Sequence, residues 1–153
     1  LKIQDKTPQL TGLKHSAPNI MEVRAFANMG LSCLIGNGTL MLQALTMGAT
    51  GCVDGLPAWA PQIWVEILEA YHAGDLARAE AVQERGARLY DLIFDFGEQN
   101  YLAIVKVVMS EILGIDCGHP RLPGLPLTNE QQTRVLQRAA ELELTRVVVG
   151  TGD

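Results

Sequence analysis

The sequence predicts an α/β fold built on a parallel sheet, and two observations carry that prediction. Over the first half of the chain, short apolar runs alternate with longer stretches of helical period, in the order strand, helix, strand, helix, strand, helix. Beyond them only helical patterns follow. With 153 residues, 48% hydrophobic and 19% charged, the chain has enough apolar material to pack a globular core.

The first strand is expected over Gln9 to Lys14, where a short, partly alternating run lies between the breakers Pro8 and Ser16-Ala17-Pro18. Asn19 is placed to cap a helix in which Ile20, Val23, Phe26 and Ala27 recur near the 3.6 period, ending at Asn28-Met29-Gly30. A second strand follows over Ser32 to Ile35. Gly36-Asn37-Gly38 breaks it, and Thr39 opens a helix running through Met47 to stop at Gly48. The third strand is brief, Gly51 to Val53.

After Asp54-Gly55, Pro61 suits the first turn of a helix whose stripe is Ile63, Trp64, Ile67, Leu68 and Tyr71, with Gly74 at its end. A longer helix from Asp75 to about Phe96 is expected to bury Leu76, Ala79, Val82, Leu89, Ile93 and Phe94. The next, Tyr101 to Leu113, is apolar round most of its circumference and should be sandwiched. A proline-rich connector, Pro120 to Pro126, leads to Thr128-Asn129-Glu130-Gln131, a capping-box pattern opening the final helix. The tail Val147-Val148-Val149 carries no clear signal. A parallel sheet of this kind must be covered on both faces, and three strands cannot close a barrel, so within a (β/α)8 barrel this chain supplies the last part only.

A formal net charge of -5 and scattered Lys and Arg residues exclude a nucleic-acid footprint. No apolar run approaches the roughly 20 residues of a membrane helix, and the opening Leu1-Lys2-Ile3-Gln4-Asp5-Lys6 lacks a signal peptide's apolar core. No membrane partner is expected, and the protein is read as cytoplasmic. Cys33, Cys52 and Cys117 have no Cys-x-x-Cys spacing and read as reduced core residues. His15, His72 and His119 are isolated from one another, so no zinc spacing arises, and neither metal nor cofactor is expected.

Three strand ends carry the candidate chemistry. Lys14 ends the first strand, and in a barrel the C-terminal ends of the strands face the active site. A lysine partly desolvated there offers a neutral amine to a ketone, and the protonated imine then accepts electrons from a breaking bond. Gly36-Asn37-Gly38 and Asp54-Gly55 end the next two strands, where backbone without side chains lets a carboxylate or hydroxyl approach. Read without a fold, each of these features is more ordinarily a solvated charge or plain turn chemistry. A dinucleotide fingerprint at Gly36-Asn37-Gly38 fails for want of its third glycine.

Gly12-Leu13-Lys14-His15-Ser16 resembles the Gly-Ile-Lys-Glu/Asp-Ser/Ala segment of the dihydrodipicolinate synthase and N-acetylneuraminate lyase family. Leu34-Ile35-Gly36-Asn37-Gly38 resembles that family's seventh strand and turn, and Gly48-Ala49-Thr50-Gly51-Cys52-Val53 its eighth. Pro61, Ala73-Gly74-Asp75 with Ala79, Val105-Lys106 and Arg121-Leu122-Pro123 continue the match in order to about Glu143.

The resemblance implies an α/β fold made of the last three βα units of a (β/α)8 TIM barrel over residues 1–73, and a C-terminal helical extension over 74–153. It implies a Schiff base on Lys14, substrate contacts from Gly36, Asn37, Gly38, Asp54 and Gly55, a small-molecule α-keto acid as partner, and a homo-oligomer, tetramer or dimer. Lys106 belongs by the same match to a C-terminal helix, structural or interfacial. Gly38 and Thr39 stand where sialic acid lyases carry an acidic pair, and Asp54-Gly55 where dihydrodipicolinate synthases end the strand in a small residue, so neither substrate is implied. The family's proton-relaying tyrosine and its carboxylate-binding loop belong to earlier strands, and Tyr71, Tyr90 and Tyr101, on helices, are not assigned to the site. The expected activity is aldol cleavage or dehydration of a 2-keto-3-deoxy sugar acid. Alternatives are a non-catalytic barrel acting as ligand sensor or regulator, and a free-standing α/β interaction domain, the latter weakened by two bare sheet edges.

Overall fold

A computed structural model describes residues 4–142 and 144, and the chain divides between Ala87 and Arg88 into two compact units. In the first, β1 (Gly12–His15), β2 (Ser32–Ile35) and β3 (Gly51–Cys52) form one sheet in the order β1-β2-β3, with both pairings parallel. Lys14 lies opposite Leu34, and Leu34 opposite Gly51. The first strand starts three residues later than its sequence pattern, because a turn closed by the Leu10 N–H on the Thr7 carbonyl (2.9 Å) takes the segment after Pro8 out of the ladder. It also continues through His15, which makes Lys14 its penultimate residue.

The strands alternate with α1 (Met21–Asn28), α2 (Met41–Thr46) and α3 (Pro61–His72). Asn19 accepts from the Met21 N–H at 3.2 Å, while the cap position itself falls on Ile20. The segment after β2 begins as a 3-10 turn, Gly38–Leu40, because the Asn37 side chain accepts from the Thr39 N–H and so closes a tight turn before the α-helix begins. Cys33 and Ile35 of β2 are buried beneath the helices with Val23, Ala44, Leu45, Ile63 and Ile67. His15 is buried on the same side. Lys14 and Ser32, on the alternating positions, are exposed, so among the described residues one face of the sheet is covered and the other open. The second face is the one a closed barrel turns towards its lumen.

A fourth helix, α4 (Leu76–Phe96), runs across the division of the chain. Asp75 caps it by accepting from the Arg78 N–H at 3.0 Å. Ala79, Val82, Leu89 and Ile93 are buried as their period requires, but Leu76 (55% exposed) and Phe94 (60%) are not. Leu76 is the first residue of the helix.

In the second unit α5 (Tyr101–Leu113) buries Ala103, Ile104 and Val108, and α6 (Asn129–Glu141) buries Val135 and Ala139. Leu102 and Leu113 remain exposed, so α5 packs on one side rather than being sandwiched among the described residues. Gly114 takes the left-handed conformation (φ 65°) that ends α5. The Lys106 ammonium donates to the Cys117 carbonyl at 2.6 Å and ties the following loop to the helix. The capping box of α6 is complete, with Thr128 and Gln131 exchanging side chain and backbone bonds. No helix among the described residues is long and apolar enough to cross a membrane. The run Val147 to Val149 lies outside the described residues.

Candidate functional site

Lys14 reaches the site because β1 alternates: His15, next to it, turns into the helical layer and Lys14 turns away from it. His15 is 4% exposed, its Nε2 lies 3.0 Å from the Glu22 carboxylate of α1, and its ring meets Phe26 at 5.9 Å between centroids. The Lys14 side chain crosses towards the next strand. A Cβ placed on Gly36 would meet the Ser16 hydroxyl first, then Lys14 Cε at 2.7 Å and the His15 carbonyl at 3.1 Å, so the absence of a side chain at Gly36 leaves room for both the serine and the passing lysine. The Gly36 N–H donates to that same carbonyl at 2.7 Å and fixes the crossing point. Lys14 is exposed among the described residues, so these three strands do not themselves supply the desolvation expected of it.

The turn after β2 is held from three directions. The Gly38 N–H donates to Asp54 Oδ2 at 2.7 Å, and the Gly38 carbonyl accepts from Trp64 Nε1 at 3.1 Å and Gln83 Nε2 at 3.2 Å. Asp54 Oδ1 also accepts from the Gly55 N–H at 2.7 Å, so one carboxylate knits the end of β3 to the turn after β2. Asn37 is exposed, and its Oδ1 accepts from both the Thr39 N–H (3.1 Å) and the Thr39 hydroxyl (2.7 Å). What Asn37 has left to offer a ligand is its amide N–H pair. A cleft of about 370 Å³ opens at the ends of β1 and β2, lined by His15, Ser16, Ala17, Pro18, Ile20, Ile35, Asn37 and Leu40.

Cys52, at the end of β3, registers the charges around it. Its thiol is pushed up to about 12, first by burial and then by the Asp54 carboxylate, with the Lys14 ammonium acting in the opposite sense. Lys14 and Asp54 therefore share one electrostatic neighbourhood. All six residues expected at the site, Lys14, Gly36, Asn37, Gly38, Asp54 and Gly55, lie at the C-terminal ends of three adjacent parallel strands. Gly38 and Asp54 are engaged with protein atoms, whereas Lys14 and Asn37 present polar groups outward. Sequence reasoning missed Gln83, Trp64 and Cys52 as members of this network. Trp64 was legible as core, but nothing local in a helical sequence marks where an indole N–H or a glutamine amide will point.

The sequence model described as the Dihydrodipicolinate synthetase family matches residues 3–142. Among curated proteins, the N-acetylneuraminate lyase of Rattus norvegicus is 31% identical over 132 residues, covering 84% of this chain and 41% of that protein. The 4-hydroxy-tetrahydrodipicolinate synthase of Mycolicibacterium paratuberculosis is 32% identical over 129 residues, covering 81% and 40%. Among solved structures, the N-acetylneuraminate lyase of Aliivibrio salmonicida superposes with a TM-score of 0.79 at 24% identity, over 94% of this chain and 47% of that one. Dihydrodipicolinate synthase from Aquifex aeolicus gives 0.76 at 21%, over 94% and 49%. The chain thus spans less than half the length of these relatives. They are (β/α)8-barrel lyases, and the parallel strands and helices described above form the C-terminal part of that barrel with helices following. On the match over residues 3–142, this chain belongs to the dihydrodipicolinate synthetase family.

Proposed function

We propose that this chain carries the imine-forming part of a lyase acting on a 2-keto-3-deoxy sugar acid or a related α-keto acid, with Lys14 as the covalent residue. The observation that carries the reading is the passage of the Lys14 side chain over Gly36, at the strand ends where the turn at Gly38 and the end of β3 are joined by Asp54. The neutral Lys14 amine adds to the C2 carbonyl carbon, and the carbinolamine takes up a proton on its hydroxyl and loses water to give a protonated imine. That imine takes up the electron pair of the C3–C4 bond in aldol cleavage, releasing an aldehyde as the C4 hydroxyl proton passes to a base. In dehydration a base takes a C3 proton, the imine holds the electron pair as an enamine, and the C4–O bond then breaks with that proton returned to the departing hydroxyl, which leaves as water. The family's tyrosine relay, on earlier strands, is the base the resemblance implies. Asn37 and Asp54 are read as contacts to the hydroxylated end of the substrate, with Gly36, Gly38 and Gly55 allowing close approach. The same reading takes the protein as a cytoplasmic homo-oligomer, whose subunit count light scattering on the intact protein would give.

The test is intact-mass measurement of the whole protein after borohydride reduction in the presence of pyruvate, in wild type and Lys14→Ala. A reduced pyruvate adduct that maps to Lys14 and vanishes in the variant is expected. A folded wild type that traps nothing overturns the reading.

A further inference from the structure

Gln83 lies on α4, outside every motif at the strand ends, yet its side chain is only 6% exposed. Burying a primary amide is unfavourable unless both of its ends are hydrogen-bonded, and here both are. Its Nε2 donates to the Gly38 carbonyl at 3.2 Å, and its Oε1 accepts from the Leu42 N–H at 3.0 Å. The second bond satisfies an N–H in the first turn of α2 that has no partner within the helix. The first adds a side-chain donor from α4 to the Gly38 carbonyl, which also accepts the Met41 N–H that closes the 3-10 turn and the Trp64 indole N–H. A leucine or methionine of similar volume would fill the core space without this cost. The amide is therefore explained by the backbone it holds.

We infer that Gln83 is a positioning residue for substrate recognition: by fixing the Gly38 peptide it sets the placement of Asn37 on one side and the Gly38-to-Asp54 bond on the other. This rests on the lyase reading above and assigns the hydroxylated end of the substrate to the turn after β2. Asn37 is oriented through Thr39, and the Thr39 N–H and hydroxyl sit where they do only while the 3-10 turn beginning at Gly38 is intact. Lys14 stands on β1, and its crossing point is fixed by the Gly36-to-His15 bond, which Gln83 does not touch. Loss of the amide should loosen recognition of the distal hydroxyls and spare imine formation.

The experiment uses the whole protein as wild type, Gln83→Met and Gln83→Glu, each checked for folding by circular dichroism melting. Two readouts are compared: the rate of borohydride-trapped pyruvate adduct at Lys14, and kcat and KM for cleavage of 2-keto-3-deoxygluconate and of N-acetylneuraminate. Gln83→Met is expected to trap pyruvate within about twofold of wild type while KM for the cleaved sugar acid rises about tenfold or more. In Gln83→Glu the carboxyl donates to the Gly38 carbonyl only when protonated, so KM should fall towards wild type on acidification, a pH profile that loss of packing alone would not produce. A folded Gln83→Met with unchanged KM overturns the inference, as does one in which trapping and KM worsen together. A wild type that traps pyruvate but cleaves neither sugar acid also overturns it, and leaves imine formation standing. A wild type that traps no pyruvate overturns the lyase reading and this inference with it.

Discussion

Gly36 is where one methyl group separates a lysine that can swing across the strand from one that cannot. Gly36→Ala would put a Cβ 2.7 Å from Lys14 Cε and 3.1 Å from the His15 carbonyl, and the backbone oxygen cannot retreat without breaking its bond to the Gly36 N–H. The Ser16 hydroxyl, which such a Cβ meets first, and the lysine must both give way. The expected result is a folded protein, destabilised by about 1–3 kcal/mol as overpacking generally is, that forms the pyruvate adduct at least about tenfold more slowly as the near-attack geometry is lost. Trapping kinetics beside a urea melt checks it, and an unchanged rate would show that the lysine approaches by another route. Cys52 gives a second prediction. With its thiol raised from 9.0 to about 12, it holds roughly a thousandfold less thiolate at pH 8 than an ordinary cysteine. Iodoacetamide labelling followed by peptide mapping should find it the slower site by comparison with the unfolded chain. The linked stability has a definite sign: above 9.0 the unfolded chain releases a proton the folded one keeps, so this contribution declines as pH climbs from 9.0 towards 12. At this scale the sequence made the strand-end lysine and the glycine turns legible through motif order. It did not make the bonds through Gly38 legible, because Gln83 and Gly38 are 45 residues apart and a glutamine on a helix ordinarily faces water.

At the scale of elements, termini were the most readable features wherever a side chain satisfies the end of a helix. Thr128-Asn129-Glu130-Gln131 announced a capping box and both of its bonds are present, with Thr128 Oγ1 accepting the Gln131 N–H at 3.2 Å. Thr128→Ala should cost about 1 kcal/mol, seen as a lowered denaturation midpoint with an unchanged slope. What the pattern could not supply was the depth to which each stripe is buried. Leu76 and Phe94 fit the period of α4 and are nonetheless exposed, because the period names a face and not what lies against it. The link between α3 and α4 was equally hidden: Glu66 accepts from Arg78 at 3.0 Å and from Arg85 at 2.6 Å. The Arg78 and Arg85 guanidiniums, with burial opposing them, hold the Glu66 carboxyl below its ordinary 4.5. A depressed carboxylate stabilises fully above its ordinary value and loses that contribution as pH falls through the lowered one. Because the partners are half exposed, Glu66→Gln should cost no more than about 1 kcal/mol per pair at neutral pH, and less in high salt. Urea melts at neutral and acid pH, with and without added salt, should show the two proteins converging in acid.

For the whole molecule, the arrangement of strands decides what these residues can do by themselves. Among the described residues β1 and β3 each pair with β2 alone, so each presents an outer edge, and the face carrying Lys14 and Ser32 is open. Sheet edges of this kind recruit other strands, and a barrel lumen exists only once the ring is closed. The relatives are more than twice as long as the stretch they share with this chain, and on the proposed reading the tyrosine relay and carboxylate loop that the resemblance implies would come from strands outside that stretch. The 153-residue stretch expressed alone is therefore expected to associate in a concentration-dependent way and to trap no pyruvate, since Lys14 lies exposed on the open face of the sheet. Supplying in trans a polypeptide with the remaining strands of the barrel should reduce self-association and restore an adduct at Lys14. Light scattering across a dilution series, with mass measurement after borohydride, reads both effects on one sample. A dilute, monomeric chain that traps pyruvate unaided would mean that desolvation and proton transfer are both arranged within these three strands, and the assignment of the relay to earlier strands would have to be given up.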